Sequence, residues 1–227
     1  MGSRSYRQTC SVSKALDLVG ERWTLLIVRD LLPGPLGYSA LLEGLPGLTT
    51  NLLAKRLKDL TAAGILEKRP APAGDKAKAL YALTPAGEAL GPIIGALAAW
   101  GKEHGPKPVA TDSLNFRWML ILFARHYRPG GTRWIVQLDC NGKSLQLRLG
   151  TPKFEGHEGT PMTPDLVISA DAATYYELLF SDTDPTGLLD SGAVTLTAGS
   201  AGEPPLTIWK DFIESFQLNQ PAPSPTK

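Results

Sequence analysis

Asn51, Lys55 and Lys58 recur at intervals of four and three residues. On a helix turning about 100° per residue, that spacing puts one amide and two ammonium groups on a single face. Leu53, Leu57 and Leu60 fall on the other side at i, i+4 and i+7, the pattern of a buried stripe. An outward row of this kind suits the major groove of a duplex, where Asn reads adenine and Lys reads guanine or phosphate. A solvated surface is the plainer reading of such a row taken alone, so the case rests on its surroundings.

The elements that must position the row can be read on either side of it. Thr49 through Ala63 is predicted helical, with Thr49 or Thr50 as N-cap and Gly64 as terminator. Ahead of it come a short helix over Gly37–Glu43 and a Pro-Gly turn at Leu45-Pro46-Gly47-Leu48. Behind it lie a strand-like run at 65–69, a loop at 70–78 and a return strand at 79–83. That order is a helix-turn-helix with a wing. The candidate DNA contacts are Tyr38, Thr49, Thr50, Asn51, Lys55, Arg56 and Lys58 on the helices, with Lys68, Arg69, Lys76 and Lys78 on the wing. Residues 49–78 hold seven Lys/Arg against three Asp/Glu.

Length and charge set the bounds. A chain of 227 residues with 43% hydrophobic and 20% charged residues is globular, with room for one large or two ordinary domains. The net charge is +1, yet residues 1–105 carry 13 basic and 9 acidic groups and residues 106–227 carry 10 and 13. A polyanionic partner therefore belongs to the first half. No run of 18 apolar residues exists and the first residues lack an apolar core, so a cytoplasmic protein with no membrane partner is expected. Cys10 and Cys140 make neither a disulfide framework nor a four-ligand zinc site.

Upstream of the recognition unit, Ser11–Val19 is predicted as a helix and Glu21–Leu32 as a second, with Trp23, Leu26 and Ile27 buried. Pro33-Gly34-Pro35 ends it. Downstream, Thr84-Pro85 opens a helix with the apolar stripe Leu90, Ile93, Ile94, Leu97 and Trp100. Little else in the first half is left to cover that stripe, which points to a partner subunit.

These residues carry a resemblance. Cys10, Ala15-Leu16-Asp17-Leu18-Val19-Gly20-Glu21-Arg22-Trp23-Thr24-Leu25-Leu26-Ile27, Leu45-Pro46-Gly47-Leu48, Arg56-Leu57, Leu60, Gly64-Ile65-Leu66 and Tyr81-Ala82-Leu83-Thr84-Pro85-Ala86-Gly87 resemble the HxlR family of bacterial winged helix-turn-helix transcription regulators over residues 8–105. The resemblance implies a homodimer joined through the N-terminal and post-wing helices, and a pseudo-palindromic double-stranded DNA operator with half-sites about one turn apart or a small multiple. Leu36-Gly37 stand where relatives often carry basic and aromatic residues, and Ser11 stands where many have Pro. In some relatives the N-terminal cysteine senses oxidants. Cys10 is the redox candidate here, with Arg7 and Lys14 nearby to favour the thiolate; a small side chain packed under the dimer helix is the plainer alternative.

Pro and Gly between residues 101 and 112 mark a boundary, with a linker at 106–112. Beyond it the period changes. A helix is predicted over Leu114–Tyr127, then alternation from Trp134, a hairpin at Asn141-Gly142, and a return through Leu145, Leu147 and Leu149. Residues 151–164 read as a loop, Asp165–Ala170 as a buried strand, Asp171–Phe180 as a helix, Gly192–Gly199 as a strand and Pro205–Leu218 as a final helix. Residues 220–227 read as a disordered tail. The segments Ile135–Asp139, Pro164–Asp171, Tyr175–Leu179 and Gly192–Leu196 resemble the sterol-carrier-protein-2-like (SCP2-like) fold over residues 113–218, which implies an apolar cavity.

The expected fold class is therefore α+β in two domains, a winged helix-turn-helix at 1–105 and an SCP2-like α/β-layer domain at 113–219. No catalytic constellation is evident. His104, His126 and His157 are scattered, and neither an HExxH motif nor a Gly-rich phosphate cradle occurs. Glu155, His157 and Glu158 read as a solvated loop rather than a metal site, so no enzyme activity, metal or cofactor is expected. The reading is a dimeric repressor whose C-terminal domain takes a small apolar or aromatic effector, with Trp118, Trp134, Phe154 and Trp209 as candidate lining. A redox switch on Cys10 and a lipid carrier without selective DNA binding remain as alternatives.

Overall fold

The recognition segment folds as a short helix, a turn and a long helix because three local signals agree. In the computed structural model, which describes residues 5–71, 77–106, 115–161, 163–180, 183–216 and 218, α3 spans Tyr38–Gly44 and α4 spans Thr50–Ala62. The Leu52 N–H donates to Thr49 Oγ1 at 3.4 Å, which caps α4. Gly47, with φ +86°, makes the turn ahead of it. At the far end Gly64 takes φ +70°, the Gly64 N–H bonds to Thr61 O and the Ile65 N–H to Leu60 O, closing the helix in a Schellman motif.

The chain forms two compact units that divide between residues 113 and 114. In the first, α1 (Ser11–Val19) and α2 (Thr24–Leu31) precede β1 (Leu36–Gly37) and the α3–α4 pair. The wing follows as β2 (Leu66–Pro70) and β3 (Ala79–Leu83), then α5 (Pro85–Glu88) and α6 (Gly91–His104). Its antiparallel sheet runs in the order β1-β3-β2. One core joins Ile27, Val28 and Leu31 of α2, Leu41 of α3, Leu53, Leu57 and Leu60 of α4, and Leu66 and Leu83 of the wing. Burying each of those leucines contributes about 1.5–3 kcal/mol. The α4 leucines thus fix which of its faces points outward.

One departure bears on the first unit. Leu26, expected inside, is 39% exposed. Thr24, Ile27, Val28 and Leu31 share the buried arc of α2, and at about 100° per residue Leu26 falls on the side opposite them. On α6, Ile93, Leu97 and Trp100 are 56%, 50% and 60% exposed, as an uncovered apolar stripe requires.

The second unit is a five-stranded sheet with helices. A 3-10 turn at Phe116–Trp118 leads into α7 (Met119–His126), where one helix from residue 114 was expected; Leu114 itself lies outside the described residues. Then come β4 (Ile135–Cys140), β5 (Lys143–Arg148), β6 (Glu155–Glu158), β7 (Leu166–Ser169), α8 (Ala172–Phe180), α9 (Pro185–Asp190), β8 (Thr195–Ala198) and α10 (Pro205–Phe216). The strand order is β6-β5-β4-β7-β8. β4 and β7 are parallel and the other neighbours antiparallel. Asn141 and Gly142, at φ 49° and 76°, turn the β4–β5 hairpin as their types predict.

The stretch 151–164, expected as loop, contains β6, which pairs with β5 through residues 155–158. Only Gly156 of β6 is buried, and a Cβ there would come 2.8 Å from Leu120 Cδ2. The strand lies against α7 by having no side chain at its inward position. The linker residues 107–112 and the tail 220–227 lie outside the described residues.

Candidate nucleic-acid interface

The capped, leucine-anchored α4 presents Thr50, Asn51, Lys55 and Lys58 as exposed side chains. The buried stripe of Leu53, Leu57 and Leu60 holds the opposite face. Thr49 is the cap, so its hydroxyl is engaged by the backbone of α4. Tyr38 is half-buried at the first position of α3, and its hydroxyl donates to Thr50 O at 2.6 Å. Tyr38 and Thr49 both help to set the start of α4.

Arg56 requires a correction. Expected on the DNA face, it is buried, 7% exposed. From Asn51 it lies about 140° around the helix, toward Leu60 rather than toward the exposed row. Its Nη2 is 2.6 Å from Glu21 Oε2, its Nε donates to Arg22 O at 3.2 Å, and its Nη1 lies 3.6 Å from Asp59 Oδ2. A buried guanidinium held by three such partners of its own chain is not free to meet a phosphate. Sequence periodicity alone misses this, because the partners Glu21 and Arg22 are 35 and 34 residues away.

On the wing, Lys68, Arg69 and Lys78 are exposed. Lys68 Nζ sits 5.9 Å from the centre of the Tyr81 ring, facing it across the β2–β3 register. The Arg69 side chain pairs with Glu67, which offsets part of its charge. Lys76 lies outside the described residues.

Cys10 is exposed at the N-cap of α1. The backbone N–H groups of Ser13, first, and Val12 hold its thiol below the ordinary value, although neither reaches a full capping hydrogen bond. Cys140 is buried. Desolvation, and then the nearby Asp171 carboxylate, push its thiol up.

Three of the four candidate effector residues are engaged in packing. Trp209 is 4% exposed and stacks on Phe212 with ring centres 5.6 Å apart. Trp134 Nε1 donates to Asp211 Oδ2 at 2.6 Å. Phe154 packs edge-on against Tyr127 and Phe216, and Trp118 is half-buried on the 3-10 turn. Phe123, Phe212 and Phe216 fill the centre of this cluster. An open cleft of about 190 Å³ is lined instead by Arg128, Pro129, Gly130, Gly131, Asp211, Glu214 and Ser215. It carries the charged groups of Arg128, Asp211 and Glu214 and includes none of the four aromatic candidates.

The family match falls in the first unit. Residues 18–108 match the HxlR-like helix-turn-helix family. The uncharacterized HTH-type transcriptional regulator YvaP of Bacillus subtilis is 37% identical over 90 residues, covering 40% of this chain and 82% of YvaP. Rv3095 of Mycobacterium tuberculosis, named likewise, is 40% identical over 98 residues, 43% of this chain and 61% of Rv3095. The HTH-type transcriptional regulator YodB of Bacillus subtilis is 33% identical over 92 residues, 40% of this chain and 81% of YodB. With a match of that identity spanning most of YvaP and YodB, and the winged architecture in place, the chain belongs to the HxlR-like helix-turn-helix family.

Proposed function

We propose that this protein is a homodimeric transcription regulator, a repressor, whose α4 helices read the two halves of a pseudo-palindromic operator. The observation that carries the reading is the exposed Asn51/Lys55/Lys58 row on a helix whose other face is locked by Leu53, Leu57 and Leu60, beside a wing bearing Lys68 and Lys78. Asn and Lys on one rigid face supply base readout, and the wing cations supply flanking phosphate contacts. The uncovered Ile93, Leu97 and Trp100 on α6, with Val12, Leu16 and Leu18 on α1, supply apolar surface for a second copy. The relatives named as HTH-type transcriptional regulators support the same reading.

The C-terminal unit is proposed to sense an apolar or aromatic small molecule through an SCP2-like layer. Half-buried Phe154 and Trp134 lie at the rim of its aromatic cluster, where such a ligand would enter by displacing rings. A second reading has its own observation: the exposed, acidified Cys10 thiol suits a redox switch.

In vitro selection from a random-sequence duplex pool tests the DNA reading. Enrichment of one inverted repeat supports it, and a pool that stays random contradicts it. On the selected duplex, Cys10→Ser tests the redox reading: retained peroxide-induced release from that variant rules it out.

A further inference from the structure

Between α1 and α2 the chain makes a corner, Gly20 to Trp23, that touches the recognition unit at two places. The first contact is the turn before α4. The Trp23 ring packs beside Gly47, where an added Cβ would stand 3.8 Å from Trp23 Cη2. The second is the middle of α4, where the Arg56 guanidinium takes both Glu21 Oε2 and Arg22 O. The corner itself is tightly determined. A Cβ on Gly20 would come 2.5 Å from Leu16 O, Trp23 is held at φ 76°, and the Arg22 guanidinium lies 5.2 Å from the Trp23 ring centre. A bulky side chain in the left-handed region persists only where surrounding contacts over-determine it.

We propose that Glu21 and Arg22 act through Arg56 as positioning residues, so that the operator selectivity of α4 depends on a bracket that touches no DNA. The inference rests on the DNA-binding reading above. Arg56 carries its charge on the side of α4 away from Asn51 and Lys55, and its partners Glu21 and Arg22 sit on the corner that joins α1 to α2. The bracket fixes the rotation of α4 about its own axis and its distance from α1. A small rotation would carry the Asn51 amide and Lys55 ammonium off their base edges, while phosphate attraction, which is tolerant of geometry, would survive.

The test uses the full-length protein and a duplex enriched by the wild type from a random pool, with a scrambled duplex of equal composition as reference. Glu21→Gln, Arg56→Gln and the double variant are compared by fluorescence anisotropy over a range of salt. Each single variant is expected to lose about tenfold on the selected duplex while the scrambled duplex binds no more weakly and the salt slope is unchanged. The double variant is expected to lose no more than either single, the signature of one shared interaction. Glu21 is about half exposed, 54%, so Glu21→Gln keeps the test alive if Arg56→Gln does not fold. Equal loss on both duplexes with a salt slope reduced by about one would make Arg56 a phosphate contact and overturn the proposal. Additive losses would overturn it as well. A wild type that enriches no duplex would instead remove the DNA-binding reading, and this inference with it.

Discussion

The Tyr38 hydroxyl donates to the Thr50 carbonyl oxygen at 2.6 Å, tying the first residue of α3 to the first residue of α4. Thr50 O lies at the N-terminal end of α4, beside the cap made by Thr49. Removing the hydroxyl while keeping the ring, as in Tyr38→Phe, is expected to lower stability by about 1 kcal/mol, read by urea unfolding. Selected-duplex affinity should fall while scrambled-duplex affinity holds. Equal loss on both duplexes would place the Tyr38 hydroxyl on a phosphate instead.

Asn51 and Lys78 should separate base reading from charge. Asn51→Ala is expected to weaken the selected duplex by about 1–3 kcal/mol and to leave the scrambled one nearly unchanged. Lys78→Ala should weaken both alike and reduce the salt slope by about one. Lys55→Ala should resemble Asn51→Ala. A more selective loss from Lys78→Ala would reverse the assignment of groove and backbone contacts.

The exposed apolar side chains of α6 predict the oligomeric state. Leu97, 50% exposed, tolerates a charge in the monomer, whereas a carboxylate buried against a second copy without a partner is costly. Sedimentation velocity is expected to give a dimer for the wild type and a folded monomer for Leu97→Glu. An unchanged dimer would put the interface elsewhere.

Cysteine alkylation follows from the two opposed thiols. Nearby backbone N–H groups hold Cys10 below its ordinary value, so its thiolate forms, and iodoacetamide modification becomes fast, at lower pH than for an unfolded-chain cysteine. Burial pushes Cys140 up and covers it, so it should stay unmodified until the chain is denatured. Mass spectrometry of pH-stepped labelling distinguishes the two. Cys10 reacting with the pH profile of a model thiol would contradict the first half of this prediction.

The recognition unit was readable from sequence because each of its signals is local. Thr49 caps, Leu53, Leu57 and Leu60 repeat at helical spacing, and Gly47 and Gly64 sit where positive φ is needed. Arg56 escaped because a charged residue reads as surface unless its partner is known, and Glu21 lies 35 residues upstream. β6 escaped because Glu155-Gly156-His157-Glu158 has no apolar alternation; an edge strand that buries only a glycine leaves none. α9 did carry a signal, Asp184 capping and Pro185 in the first turn, but six residues are too few to show a period. The aromatics Trp209 and Phe154 look alike as pocket wall or as core until their ring partners are placed.

Fluorescence anisotropy at about 0.15 M salt, with a labelled duplex from the gene's own upstream region against a scrambled duplex, tests the central claim most directly. The account predicts clear preference for the upstream duplex, and loss of that preference in Asn51→Ala. Equal affinity for the two duplexes, or a preference that survives Asn51→Ala and Lys55→Ala together, would contradict the claim that α4 reads the operator.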